Sequence, residues 1–89
     1  MRITGNGELP LYAGVSGSAK DAINIFMPAV LNGVCILGYR DGTDTWVPLT
    51  DGVLEAGAQY HIDHGYKPGI LLQITSFSAD FEIGMSGQD

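Results

Sequence analysis

Eighty-nine residues with four Lys or Arg against ten Asp or Glu give a net charge of −6 and a pI near 4.4. That length holds one domain, and that charge argues against nucleic acid, whose phosphates need several basic side chains on one face. It also disfavours an anionic membrane surface; the N-terminus lacks a signal-peptide apolar core, and no run is long enough for a spanning helix.

The chain reads as one β domain over residues 1–89, with 1–7 as an N-terminal arm or loop and 86–89 as a polar, mobile tail. Thirteen glycines and four prolines separate short alternating segments. Leu9 to Val15 is the first expected strand, and Pro10 places it at an edge or a strand start. Asp21 to Met27 alternates Ile23, Ile25 and Met27 against Ala22, Asn24 and Phe26. Both faces are largely apolar, which predicts cover on both sides; a helix over Ala19 to Leu31 is disfavoured by Pro28 and by Ile-Asn-Ile-Phe. After the Asn32-Gly33 turn, Val34 to Arg40 is the third strand. Asp41-Gly42 reads as a two-residue hairpin loop returning through Thr45 to Leu49. Thr50-Asp51-Gly52 reads as a second turn, with Val53 to Gly57 as a short link. Gln59 to His64 alternates again, and His64 to Gly69 is a loop. Ile70 to Thr75 and Ala79 to Met85 form an expected closing hairpin, Phe81, Ile83 and Met85 pointing one way. Six to eight mostly antiparallel strands at this spacing predict an all-β fold, a small antiparallel sandwich or flattened barrel.

Motifs for chemistry are scarce. Cys35, the lone cysteine, lies in the apolar run Val34 to Leu37, where a small buried hydrophobe is expected and a disulfide within the chain is impossible. His61, Asp63 and His64 invite a metal reading. On a strand, however, His61 and Asp63 share one face and His64 takes the other, which is too few ligands for zinc. Asp41, Asp44 and Asp51 could line one end and hold calcium, but turn chemistry accounts for them and no EF-hand loop is present. Glu8, Glu55 and Glu82 sit on separate segments. No catalytic, cofactor-binding or metal residue is expected, and the chain reads as non-enzymatic. Tyr39, Trp46, Tyr60 and Tyr66 are the candidate interface residues, with Trp46 and Tyr39 expected to pack across their hairpin; stacking on sugars is the other use of such aromatics.

The stretches Val34 to Gly42, Trp46 to Leu54 and Ile70 to Thr75 resemble small structural proteins of tailed bacteriophage particles, the capsid decoration or cement proteins above all. The resemblance implies a virion subunit, assembled in the host cytoplasm and held on the capsid exterior. Its partners would be the major capsid protein or other virion subunits, and it would self-associate, as a trimer by analogy. A carbohydrate- or receptor-binding module of a fibre or spike, or a neck or tail component, is the alternative.

Overall fold

The computed structural model describes residues 1–11, 22–63 and 70–88; the side chains of residues 22, 63, 87 and 88 are not described. Nine strands are present among them: β1 (Arg2–Ile3), β2 (Gly7–Pro10), β3 (Ala22–Phe26), β4 (Val34–Arg40), β5 (Trp46–Leu54), β6 (Gln59–Asp63), β7 (Leu71–Thr75), β8 (Phe81–Glu82) and β9 (Gly84–Gln88). All pairings are antiparallel. They build a four-stranded sheet in the order β2-β7-β4-β5, a three-stranded sheet in the order β6-β3-β9, and the short pair β1-β8. The all-β sandwich expected from the alternation is therefore present, and the segment from 22 is strand rather than helix.

Alternation explains the layering. Cys35 and Leu37 of β4, Leu72 and Ile74 of β7 and Leu54 of β5 point inward from the larger sheet and are buried. Ile23 and Ile25 meet them from β3, and Ile3, Phe81 and Ile83 close one end of the same cluster. No buried residue is polar or charged among those described. The core formed by the described residues is thus purely apolar, held by area removed from water at about 25 cal/mol per Å².

Several boundaries differ from the sequence reading. Residues 70–75 and 79–85 do not form a hairpin. β7 pairs with β2 and β4, β8 with β1, and β9 with β3. Phe81, Glu82, Ile83 and Gly84 keep one in-out alternation while the partner strand changes, so this stretch turns the corner between sheets. Met1 and Ile83 exchange main-chain bonds of 2.6 and 2.8 Å at that corner. The N-terminal residues are consequently not a loose arm, since β1 anchors a buried Ile3. Nor do residues 86–88 leave the fold as a tail: β9 runs to Gln88 in register with β3. The outward face of β3 is not covered by the described residues, because Phe26 is 43% exposed.

The β4-β5 connection is a hairpin, but its loop has three residues, not two. Asp44 N–H donates to the Asp41 carbonyl and Asp41 N–H to that of Thr45, both at 3.0 Å, and Asp44 takes a φ of 61°. A type I turn followed by a left-handed residue is the form three-residue loops take. At Thr50-Asp51-Gly52 the chain does not turn back. β5 continues through a bulge in which residues 49–52 oppose Leu37 alone, with Asp51 at φ 55°. The expected strand beyond Leu11 and the 64–69 loop lie outside the described residues.

Candidate functional site

The outward face of the four-stranded sheet is set by register. Glu8 pairs Gln73, Gln73 pairs Ile36 and Ile36 pairs Val53, forming one row across all four strands. Pro10, Leu71, Gly38 and Pro48 form the next row. Val34 opposite Thr75, and Arg40 opposite Trp46, complete the face at its two ends. Val34 is 41% exposed and Val53 56%, while Ile36, Leu71 and Trp46 are half-buried. An apolar strip thus runs over β4 and β5 and reaches β7. It is contiguous, unlike the isolated apolar side chains that any surface carries.

One polar network crosses the same face. The Arg40 guanidinium forms a two-pronged ion pair with Glu8, its Nε donating at 3.0 Å and its second nitrogen also meeting the carboxylate. A terminal Arg40 nitrogen donates to the Asp44 carbonyl at 3.0 Å. The guanidinium stands 5.8 Å from the Trp46 ring centroid, and Gln73 donates to Glu8 at 3.4 Å. Hydrogen bonding from Arg40 holds the Glu8 carboxyl below its ordinary range, and Glu8 in turn raises Arg40. The Trp46 indole lies across Gly38, where a β-carbon would sit 2.6 Å from a ring carbon and 2.5 Å from the Val47 carbonyl.

The four aromatic candidates are not gathered on one surface. Trp46 lies on this face, whereas Tyr39 pairs Val47 and points to the opposite side of the same sheet, so the two do not pack across the hairpin. Tyr60 packs against the core, and its hydroxyl accepts the Glu55 N–H at 2.8 Å. Tyr66 lies outside the described residues. The strip of Val34, Ile36, Val53 and Leu71 was missed in the sequence, although Val34 to Leu37 carries the signal: four successive apolar residues on a strand put apolar groups on both faces.

The other candidates resolve into local structure. Asp41 Oδ1 accepts from Thr43 N–H at 2.8 Å, the Thr43 hydroxyl at 2.7 Å and Thr45 N–H at 3.0 Å. The Thr43 hydroxyl, then those two N–H groups, lower the Asp41 pKa. His61 Nδ1 lies 2.8 Å from Asn24 Oδ1 on the neighbouring strand. His64 and the Asp63 side chain lie outside the described set; among the described residues no group of three or more His, Cys, Asp or Glu could hold a metal. A cleft of about 360 Å³ follows Arg2 to Leu9 beside Ile74, and its two charged groups are already paired, Arg2 with Asp80 and Glu8 with Arg40. On the outer face of the three-stranded sheet, Phe26 leans over Gly84, flanked by Gln59, Asn24 and Ser86. No protein-family model, curated protein or solved structure matches the chain.

Proposed function

We propose that this protein is a non-enzymatic structural subunit of a virus particle, a capsid-decorating or cementing protein that stabilises the shell by binding other virion subunits. The observation that carries this reading is the contiguous apolar strip of Val34, Ile36, Val53 and Leu71 on an outward sheet face. Such a surface gains about 25 cal/mol per Å² when a partner covers it, before the costs of association. The likeness of its strands to bacteriophage structural proteins supplies the assembly, with the major capsid protein or further copies as partners. A charge of −6 suits the particle exterior better than contact with packaged DNA. Many modest contacts repeated over a lattice would act together.

The test is mass spectrometry of purified particles, then heating and osmotic shock of particles with and without this protein. Loss of shell stability without it supports the cement role. Presence with unchanged shell stability moves the protein to a neck, tail or fibre position, and absence from particles overturns the reading.

Phe26 favours a second reading, a carbohydrate-binding module. Its ring lies over Gly84 with amide and hydroxyl side chains beside it, an arrangement on which a neutral sugar ring can stack. A glycan array probed with the wild type and with Phe26→Ala decides it; equal signals, or none, exclude this use of Phe26.

A further inference from the structure

We infer that Asn32-Gly33 is a self-modifying site, where the Gly33 main-chain nitrogen displaces ammonia from the Asn32 side chain and water then leaves aspartate or isoaspartate. The chain has two Asn-Gly pairs, Asn6-Gly7 and Asn32-Gly33. In both, the glycine has no side chain to hinder attack on the preceding amide. The fold separates them.

Asn6-Gly7 is held on both sides. Asn6 Oδ1 accepts the Phe77 N–H at 2.9 Å. Gly7 pairs Ile74 in the β2-β7 ladder. The Leu11 N–H bond to the Ile70 carbonyl sets the phase of that ladder, so positions 11, 9 and 7 are the bonding ones. The Gly7 N–H is therefore committed to the Ile74 carbonyl. Its nitrogen cannot lose a proton and turn on Asn6 without opening the sheet edge.

Asn32-Gly33 is arranged the other way. It precedes β4 and belongs to no ladder. Among the described residues nothing bonds the Asn32 side-chain amide or the Gly33 N–H. What is held is the oxygen of the peptide between them: the Asn32 carbonyl accepts the Ser78 N–H at 2.9 Å and the Ser78 hydroxyl at 3.4 Å. The attacking form of this peptide has lost its proton, and the charge is shared between the Gly33 nitrogen and the Asn32 carbonyl oxygen. Two donors aimed at that oxygen stabilise the anion, as an oxyanion hole does. The nucleophile is thus favoured where the amide it attacks is free.

The steps balance with water alone. Hydroxide takes the Gly33 amide proton, and the nitrogen bonds to Asn32 Cγ. The Cγ–Nδ2 bond breaks, and Nδ2 gains a proton and leaves as ammonia, closing a succinimide ring. Water opens the ring at either carbonyl, giving aspartate or isoaspartate. Either product adds a negative charge to a chain already at −6. Isoaspartate also lengthens the main chain by a methylene just before β4. Gly33 is packed closely there, since a β-carbon on it would lie 3.2 Å from the Thr75 carbonyl. The longer link displaces Gly33 from that contact and the Asn32 carbonyl from Ser78.

The test incubates the purified protein at mildly alkaline pH, folded and in urea. Peptides are scored for the amide-to-acid mass change, and for isoaspartate by enzymatic methylation. In the folded protein Asn32 should convert at least about tenfold faster than Asn6, which the hydrogen bonds at Asn6-Gly7 protect. In urea the two rates should become similar, because Asn6 loses its protection and Asn32 loses Ser78. Ser78→Ala should slow conversion at Asn32 about threefold, the worth of one weak hydrogen bond, and leave Asn6 unchanged. Ser78 is exposed, and Asn6 doubles as a probe of folding, since loss of the β2-β7 pairing would speed it. If the variant unfolds, the wild-type comparison decides by itself. Equal rates in the folded protein, Asn6 converting first, or a preference for Asn32 that persists in urea overturns the inference. So does a folded Ser78→Ala variant that converts as fast as the wild type.

Discussion

Cys35 is fully buried between Val34 and Ile36, and burial pushes its thiol up to about 11. At neutral pH it is a protonated, inaccessible sulfur, so labelling by a thiol reagent should be slow under native conditions and fast only in denaturant. Cys35→Ser should cost about 1–2 kcal/mol in urea unfolding by placing a hydroxyl in that core. Glu8 shows the opposite situation at the surface. Arg40 depresses its carboxyl in the folded chain, so the pair's contribution is complete above the unfolded carboxyl pKa. It is lost as pH falls through the lower folded value. Thermal midpoints of wild type and Glu8→Gln should therefore differ at neutral pH and converge in acid; a constant gap would count against the pairing. Gly38 is a third telling position. Gly38→Ala forces a methyl group into the Val47 carbonyl and the Trp46 ring, which should cost about 1–3 kcal/mol and shift the fluorescence of the only tryptophan.

At the scale of elements, β5 separates what periodicity can reveal from what it cannot. Asp-Gly at 41–42 and at 51–52 look alike in sequence, and both do place an aspartate nearby in the left-handed region, Asp44 and Asp51. One ends a strand and the other merely bends it, because β4 is long enough to pair with β5 on both sides of the bulge. That length lies in the partner strand, not in the dipeptide. The two glycines should therefore respond differently to the same change. A β-carbon at Gly52 would meet the Leu37 and Leu49 carbonyls at 2.6 and 2.9 Å, whereas one at Gly42 would meet nothing within 4 Å. Gly52→Ala should cost about 1–3 kcal/mol, while Gly42→Ala should stay within about 0.5 kcal/mol. Comparable urea midpoints for the two would refute the bulge geometry. β4 itself was legible to the residue, since Val34 to Arg40 is bounded by Gly33 and by the Asp41 turn. The closing hairpin was not, because alternation at 79–85 fixes which face is buried but is silent on which strand lies alongside.

For the molecule as a whole, the layer structure and apolar core were readable from the two-residue period, and the strand order was not. Pairing is decided by contacts between segments far apart in the chain, and no local signal encodes them. The apolar outer strip was half legible for the same reason: Val34 to Leu37 announces two apolar faces, but Val53 and Leu71 join the strip only through register.

The joining of β1 to β8, and of Met1 to Ile83, carries a consequence for the order of events during synthesis. Among the described pairings only β4 with β5 joins strands consecutive in the chain; every other partner is separated by at least one intervening strand. That hairpin can form early, whereas β2 must wait for β7, and β1 and β3 cannot complete their pairings until residues 81–88 are made. At roughly 5–20 residues per second, the ribosome keeps the first strands waiting for seconds with Ile3, Ile23 and Ile25 uncovered. Such distant closures also make folding slow once the strands are available. The nascent chain therefore passes through a defined window in which its core residues are open to chaperones, and to one another across neighbouring chains.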